Sequence, residues 1–159
     1  MEIQMSLIVP REQARFLFRM AYVSFLSSLY AIYRGHYDLS MVPFSVGCST
    51  MLYWSEPRYG WRRNVDMCTV FLALCYQLYR ASAAEMAMTY YPMTILAILC
   101  YPAGIYQHQK GNTWSGVYIH SGIHWVANIA NIVLYSGAIT PSYAKILATQ
   151  LDRLENMAP

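Results

Sequence analysis

YIHSGIHWVANIANIVLYSG, residues 118–137, is an apolar run into which His120, His124, Asn128 and Asn131 are set. About 20 mostly apolar residues suffice to cross about 30 Å of hydrocarbon, so the run reads as a membrane span. Hydrocarbon, however, cannot satisfy an imidazole or a carboxamide. On a helix, residues 120, 124, 128, 131 and 135 advance by three or four and share one face: His, His, Asn, Asn, Tyr. The other face carries Ile123, Val126, Ile129 and Val133, which suits lipid or an apolar neighbour. A continuous polar stripe of this kind must turn towards the interior of a bundle. The run therefore predicts a helix whose neighbours lie on its histidine side.

The rest of the chain supports an all-α, multi-pass transmembrane helix bundle in one domain, residues 1–159. The 159 residues are too few for two ordinary domains. They are 57% hydrophobic and 12% charged, well below the charged fraction of about a quarter usual in soluble domains. The net charge of +3 comes without a basic tract, so no nucleic-acid partner is expected. Cys48, Cys68, Cys75 and Cys100 lie in apolar stretches without zinc-finger or redox spacing and read as small buried hydrophobes. The fifteen tyrosines gather near span ends, as in an interfacial aromatic belt.

Five segments qualify as spans, at about 16–33, 39–54, 64–79, 86–106 and 115–139. The second holds Pro43 and Gly47; the fourth holds Pro92 and Pro102, where a kink is expected. The tail is expected to form a short amphipathic helix, with Ile146, Leu147, Leu151 and Leu154 at helical spacing. Seven basic residues (Arg11, Arg15, Arg19, Arg58, Arg62, Arg63, Lys110) fall on the N-terminal side, against Arg34, Arg80, Lys145 and Arg153 opposite. The positive-inside rule then puts the N-terminus on the cytosolic side and the C-terminus across the membrane.

Ionisable groups inside spans are costly, which makes Asp66, His120 and His124 functional candidates. Two histidines four apart on a helix can both point at one metal ion. They can equally hydrogen-bond to neighbouring helices and lock the packing. A haem is not expected, since adjacent turns of one helix cannot place two imidazoles on opposite faces of one iron. Asp66 reads either as a helix N-terminal carboxylate paired with Arg62 or Arg63, or as part of a polar groove continued by Thr69, Ala73 and Gln77. Ser49 ends the second span, Asp66 opens the third, and His120 and His124 open the fifth. All four are thus expected on one side of the membrane at similar depth, close enough to share a site.

Those residues also carry a resemblance. HSGIHWVANIANIVLYSG, together with STMLYWSEPRYGWRRNVDMC at residues 49–68, resembles the CREST superfamily of membrane hydrolases and receptors, which includes alkaline ceramidases and progestin-and-adipoQ receptors. The resemblance implies that His120 and His124 are zinc ligands, that Ser49 and Asp66 are catalytic, and that Asn128 and Asn131 extend the polar face. It implies zinc as cofactor and hydrolysis of a lipid amide or ester. The pattern departs in three ways. Tyr53 and Trp54 stand where the superfamily has a third histidine, the spacing on to Asp66 is stretched by about two residues, and five spans replace seven. A degenerate site is therefore one reading alongside a divergent hydrolase. The alternative is a non-catalytic accessory subunit of a larger membrane complex, its polar residues serving helix packing. A transporter ranks third, because the chain shows no inverted repeat. Expected partners are membrane lipid and other membrane proteins.

Overall fold

The computed structural model describes residues 7–140 and residue 153, and among them the chain is all-helical. Helices α1 (Arg11–Met20) and α2 (Tyr22–Tyr33) are joined through Ala21, whose φ of −60° and ψ of −23° are themselves helical. There follow α3 (Tyr37–Ser55), α4 (Trp61–Ala81), α5 (Ala87–Gln109) and α6 (Thr113–Ser136). The five expected spans thus correspond to α1 with α2, then α3, α4, α5 and α6. Two of these segments, Arg11–Tyr33 and Ala87–Gln109, are long and apolar enough to cross a membrane. Pro43 lies inside α3, and Pro92 and Pro102 lie inside a single uninterrupted α5.

Several expectations are corrected. The first segment begins at Arg11 rather than near residue 16, because Gln13, Ala14 and Leu17 supply a buried face to the turns before the apolar run. Helix α5 continues to Gln109, past the expected end of the fourth span at about residue 106. Helix α6 stops at Ser136 instead of 139, because Gly137 turns extended and Ile139 pairs with Ala84. The cysteines are not core residues: Cys48, Cys68 and Cys75 are exposed on the outer surface and Cys100 is half-buried. The expected C-terminal amphipathic helix lies outside the described residues.

Two glycine turns set the connections. Helix α2 ends with Gly35 at φ +77°, its N–H bonding Ile32 O while the His36 N–H bonds Ala31 O. Helix α5 ends the same way. Gly111 at φ +84° bonds His108 O, and the Asn112 N–H bonds Gln107 O. This paired capping satisfies the last carbonyls of each helix and reverses the chain within a few residues. Hence α2–α3 and α5–α6 are tight antiparallel pairs.

The α5–α6 pair is the closest in the molecule. A Cβ at Gly116 would lie 2.8 Å from the Gly104 carbonyl oxygen and 3.0 Å from the His108 nitrogen, so the backbones meet where neither residue has a side chain. Small residues permit this approach and the dispersion contacts that come with it. From this pair the bundle continues through α2 and α3 to α4, while α4 barely touches α5. The ring of helices is therefore closed everywhere except at the α4–α5 seam.

Two apolar clusters close the ends. One gathers Ala31, Leu39, Ala81, Tyr90, Ala130, Leu134, Tyr135 and Ile139. The other gathers Val9, Ala14, Leu17, Tyr53, Trp54 and Val117. At the first end, Glu85 N–H donates to Ala138 O at 2.9 Å and Thr140 N–H to Ala83 O at 3.2 Å, holding the α4–α5 connector against the end of α6.

Gly116→Ala is expected to cost about 1–3 kcal/mol, because a methyl group must push backbone atoms apart. Gly122→Ala, whose Cβ would meet chiefly the movable Cys100 Sγ at 3.1 Å, should cost distinctly less. Thermal unfolding midpoints of the two purified variants check the ranking.

Candidate functional site

Between the two end clusters lies a cavity of about 410 Å³, walled by all five long segments. Its apolar wall comes from α4 (Met67, Val70, Phe71, Leu74) and α5 (Ala97, Ile98, Pro102). Its polar wall comes from Thr50, Asp66, Gln77, His120, His124, Asn128 and Asn131. The lining is mostly apolar with several polar groups set into it, and α4 and α5, which barely meet each other, both contribute to it.

Asp66 is in the second turn of α4 and faces the last two turns of α3. Ser49 Oγ and Thr50 Oγ1 each lie 2.9 Å from Asp66 Oδ1 and donate to it. Ser49 Oγ is also 3.1 Å from Val46 O, so its one proton is shared between two acceptors. The expected pairing of Asp66 with Arg62 is not what the structure shows: Arg62 Nη1 is 3.2 Å from Glu56 Oε2. Two adjacent hydroxyls instead provide the carboxylate's hydrogen bonds. Thr50 was missed at the sequence level, although it adjoins Ser49. A hydroxyl on an apolar helix usually satisfies itself on its own backbone, so sequence gave no reason to aim it outward.

The stripe on α6 divides into two parts with different roles. Asn128 is fully engaged: its Nδ2 donates to Ser24 Oγ at 3.2 Å and to His124 O at 2.7 Å, and Ser27 Oγ donates to its Oδ1. Gln77 of α4 donates both amide hydrogens, one to Asn131 Oδ1 and one to Tyr135 Oη, each at 2.8 Å. Tyr135 Oη in turn is 3.4 Å from Leu39 O. The amides of α6 therefore clamp it to α2 and α4, and the Tyr135 hydroxyl adds α3. Serines 24 and 27, three apart on α2, were the signal for this clamp; their spacing puts both on one helix face.

The histidines are different. His124 is buried, 7% exposed, and its Nε2 has no hydrogen-bond partner. His120 is enclosed by rings: Trp54 at 5.5 Å, Tyr101 at 5.9 Å and His124 at 6.1 Å between centroids. The structure therefore brings Asp66, His120 and His124 to one cavity, with Ser49 behind Asp66 rather than lining the space.

The donor set fits a catalytic zinc centre poorly. Such a centre takes three protein ligands and a water. Among the described residues no three His, Cys, Asp or Glu side chains come together in a metal-holding group. Trp54 packs edge-on against His120 with a donor-only indole, so it cannot supply the third ligand. Asp66 Oδ1 is already accepting two hydrogen bonds.

His36 and His108 lie elsewhere. His36 caps the start of α3 beside Tyr135, where burial and the nearby Arg34 hold its imidazole below the usual histidine range. The buried Arg80 lies at this same end, ion-paired with Asp38, which also accepts from Tyr76 Oη at 2.7 Å.

Comparison with known protein families, with curated proteins and with solved structures finds no match.

The divided stripe has a measurable consequence. Gln77→Leu removes the donor that Asn131 Oδ1 and Tyr135 Oη both accept from, leaving Tyr135 only its bond to Leu39 O, and should cost about 1–3 kcal/mol. His124→Leu removes a buried nitrogen that has no partner and should be neutral or stabilising. Unfolding midpoints of the two variants in one detergent test the contrast.

Proposed function

We propose that this chain is a multi-pass membrane protein that admits an amphiphilic lipid sideways through the α4–α5 seam, into a divergent CREST-like site. The cavity carries the reading: its lining is mostly apolar, both helices of the loosely packed α4–α5 seam contribute to it, and an unpartnered imidazole nitrogen is among its polar groups. An apolar pocket with a few convergent polar groups is the usual form of a small-molecule site.

Membrane embedding is supported by the outer surface. Leu26, Leu29, Phe71, Leu72, Met88, Ile95, Leu96 and Leu99 are all more than half exposed, spread over α2, α4 and α5. Scattered single apolar residues are normal on soluble proteins, but whole helix faces are not. The windows of Arg11–Tyr33 and Ala87–Gln109 are 33% and 22% buried, far less than for the core helix of a soluble protein. Helices α3, α4 and α6 carry the inward polar groups, and in this reading they span as well. The excess of basic residues on the N-terminal side then supports a cytosolic N-terminus and a C-terminus across the membrane.

Binding, rather than zinc-dependent hydrolysis, is the activity we favour, because among the described residues Asp66, His120 and His124 line one cavity without gathering into a three-ligand group. The accessory-subunit reading draws support from the clamp formed by Asn128, Asn131 and Gln77, which is packing in character. The clamp leaves Asp66, His120 and His124 unexplained, and these are the groups around the polar end of the cavity.

After alkaline carbonate extraction the protein is expected to stay in the membrane pellet. A fluorescent single-chain amphiphile should bind the purified protein, and Ala97→Trp, which fills the cavity from α5, should weaken that binding about tenfold or more. Unchanged affinity in a folded Ala97→Trp protein would remove the lipid-binding reading. Near-stoichiometric zinc in protein purified without chelator, lost in both His120→Ala and His124→Ala, would instead favour the hydrolase.

A further inference from the structure

The charge inside the cavity is one-sided. Among the described residues Asp66 contributes to the lining, and no lysine or arginine does. The nearest basic residues in sequence are committed outside it: Arg62 pairs with Glu56, and the Arg63 guanidinium lies over the Tyr59 ring at 5.4 Å. Both hydroxyls that reach Asp66 use Oδ1. Among the described residues His124 Nε2 has no partner, and the hydrogen bonds that hold this end together use neither the other Asp66 oxygen nor the His120 ring.

Lipid heads differ most in charge. A phosphate or carboxylate entering here would add a second negative charge in a space of low dielectric, with no cation to offset it. A hydroxyl head instead donates to a carboxylate and both donates to and accepts from an imidazole. The volume of about 410 Å³ sits near the lower end of the roughly 300–1,000 Å³ typical of ligand pockets, which suits one head and one chain.

We infer that the cavity selects against negative charge. Its occupant is a single-chain amphiphile with an uncharged hydroxyl head, held between Asp66 and His124, its chain lying between Phe71 and Leu74 on α4 and Ala97 and Ile98 on α5. This rests on the lipid-binding reading above and adds the head-group class to it.

The test is displacement of the fluorescent amphiphile from purified full-length protein at pH 8 by three probes of equal chain length: monolauroylglycerol, laurate and dodecyl phosphate. Monolauroylglycerol is expected to compete at least about tenfold better than either anion, given unscreened like charges at close range. Asp66→Asn retains an oxygen acceptor for Ser49 and Thr50 while removing the charge, and should narrow the gap severalfold. Equal or better competition by laurate or dodecyl phosphate overturns the inference, as does a folded Asp66→Asn protein whose selectivity is unchanged. The wild-type series decides the matter alone if that variant does not fold. Failure of all three probes to compete would instead count against lipid binding itself, so the two failures are distinguishable.

Discussion

The structure depends on one constraint, the need of buried carboxamides for hydrogen-bond partners. Asn128, Asn131 and Gln77 are each at most 7% exposed, and each finds its partners on another helix. Leaving such a group unpaired costs several times what a made bond contributes, so the rotation of α6 about its axis has little freedom. That rotation fixes the rest. With Asn128 on α2 and Asn131 on α4, the same helix face one and two turns earlier must present His124 and His120 to the enclosed space. The clamp and the site are one stripe, read at two depths.

Packing then decides what kind of space this is. The glycine contact between α5 and α6 draws that pair together, while the amides draw α2 and α4 around α6 and Tyr135 Oη reaches Leu39 O on α3. Helix α5 has no comparable tie to α4. Apolar clusters fill both ends of the bundle, so the incomplete contact survives as a seam along its side. A void of this size lined by close-packed side chains would ordinarily collapse. Here the amide clamp on one side and the capped turns at Gly35 and Gly111 keep the walls apart.

Much of the helical layout was legible in the sequence, because apolar runs of span length and glycine-terminated helices are local signals. The errors were at the ends. Gln13, Ala14 and Leu17 make the first helix longer than its hydropathy indicates, since burial against α3 and α6 is a tertiary effect. The cysteines turned outward because a helix in an apolar run has no local cue to which side its thiols face. Within the site, counting turns led to the expectation of a shared level for Asp66, His120 and His124, and all three line one cavity. The hydroxyl pair on Asp66 was half seen, with Ser49 identified and Thr50 overlooked.

By itself the sequence determined that the chain is helical, that α6 carries a continuous polar face, and that Tyr53 and Trp54 stand where the resembled pattern has a histidine. These follow from composition and from the 3.6-residue period, which need no knowledge of neighbours. Only the tertiary structure decided which polar residues are clamp and which are site. Asn128 and His124 have the same period and similar burial, and they differ in whether another helix offers a partner. That depends on Ser24 and Ser27, about a hundred residues earlier in the chain, and on the distance at which α4 stands from α5.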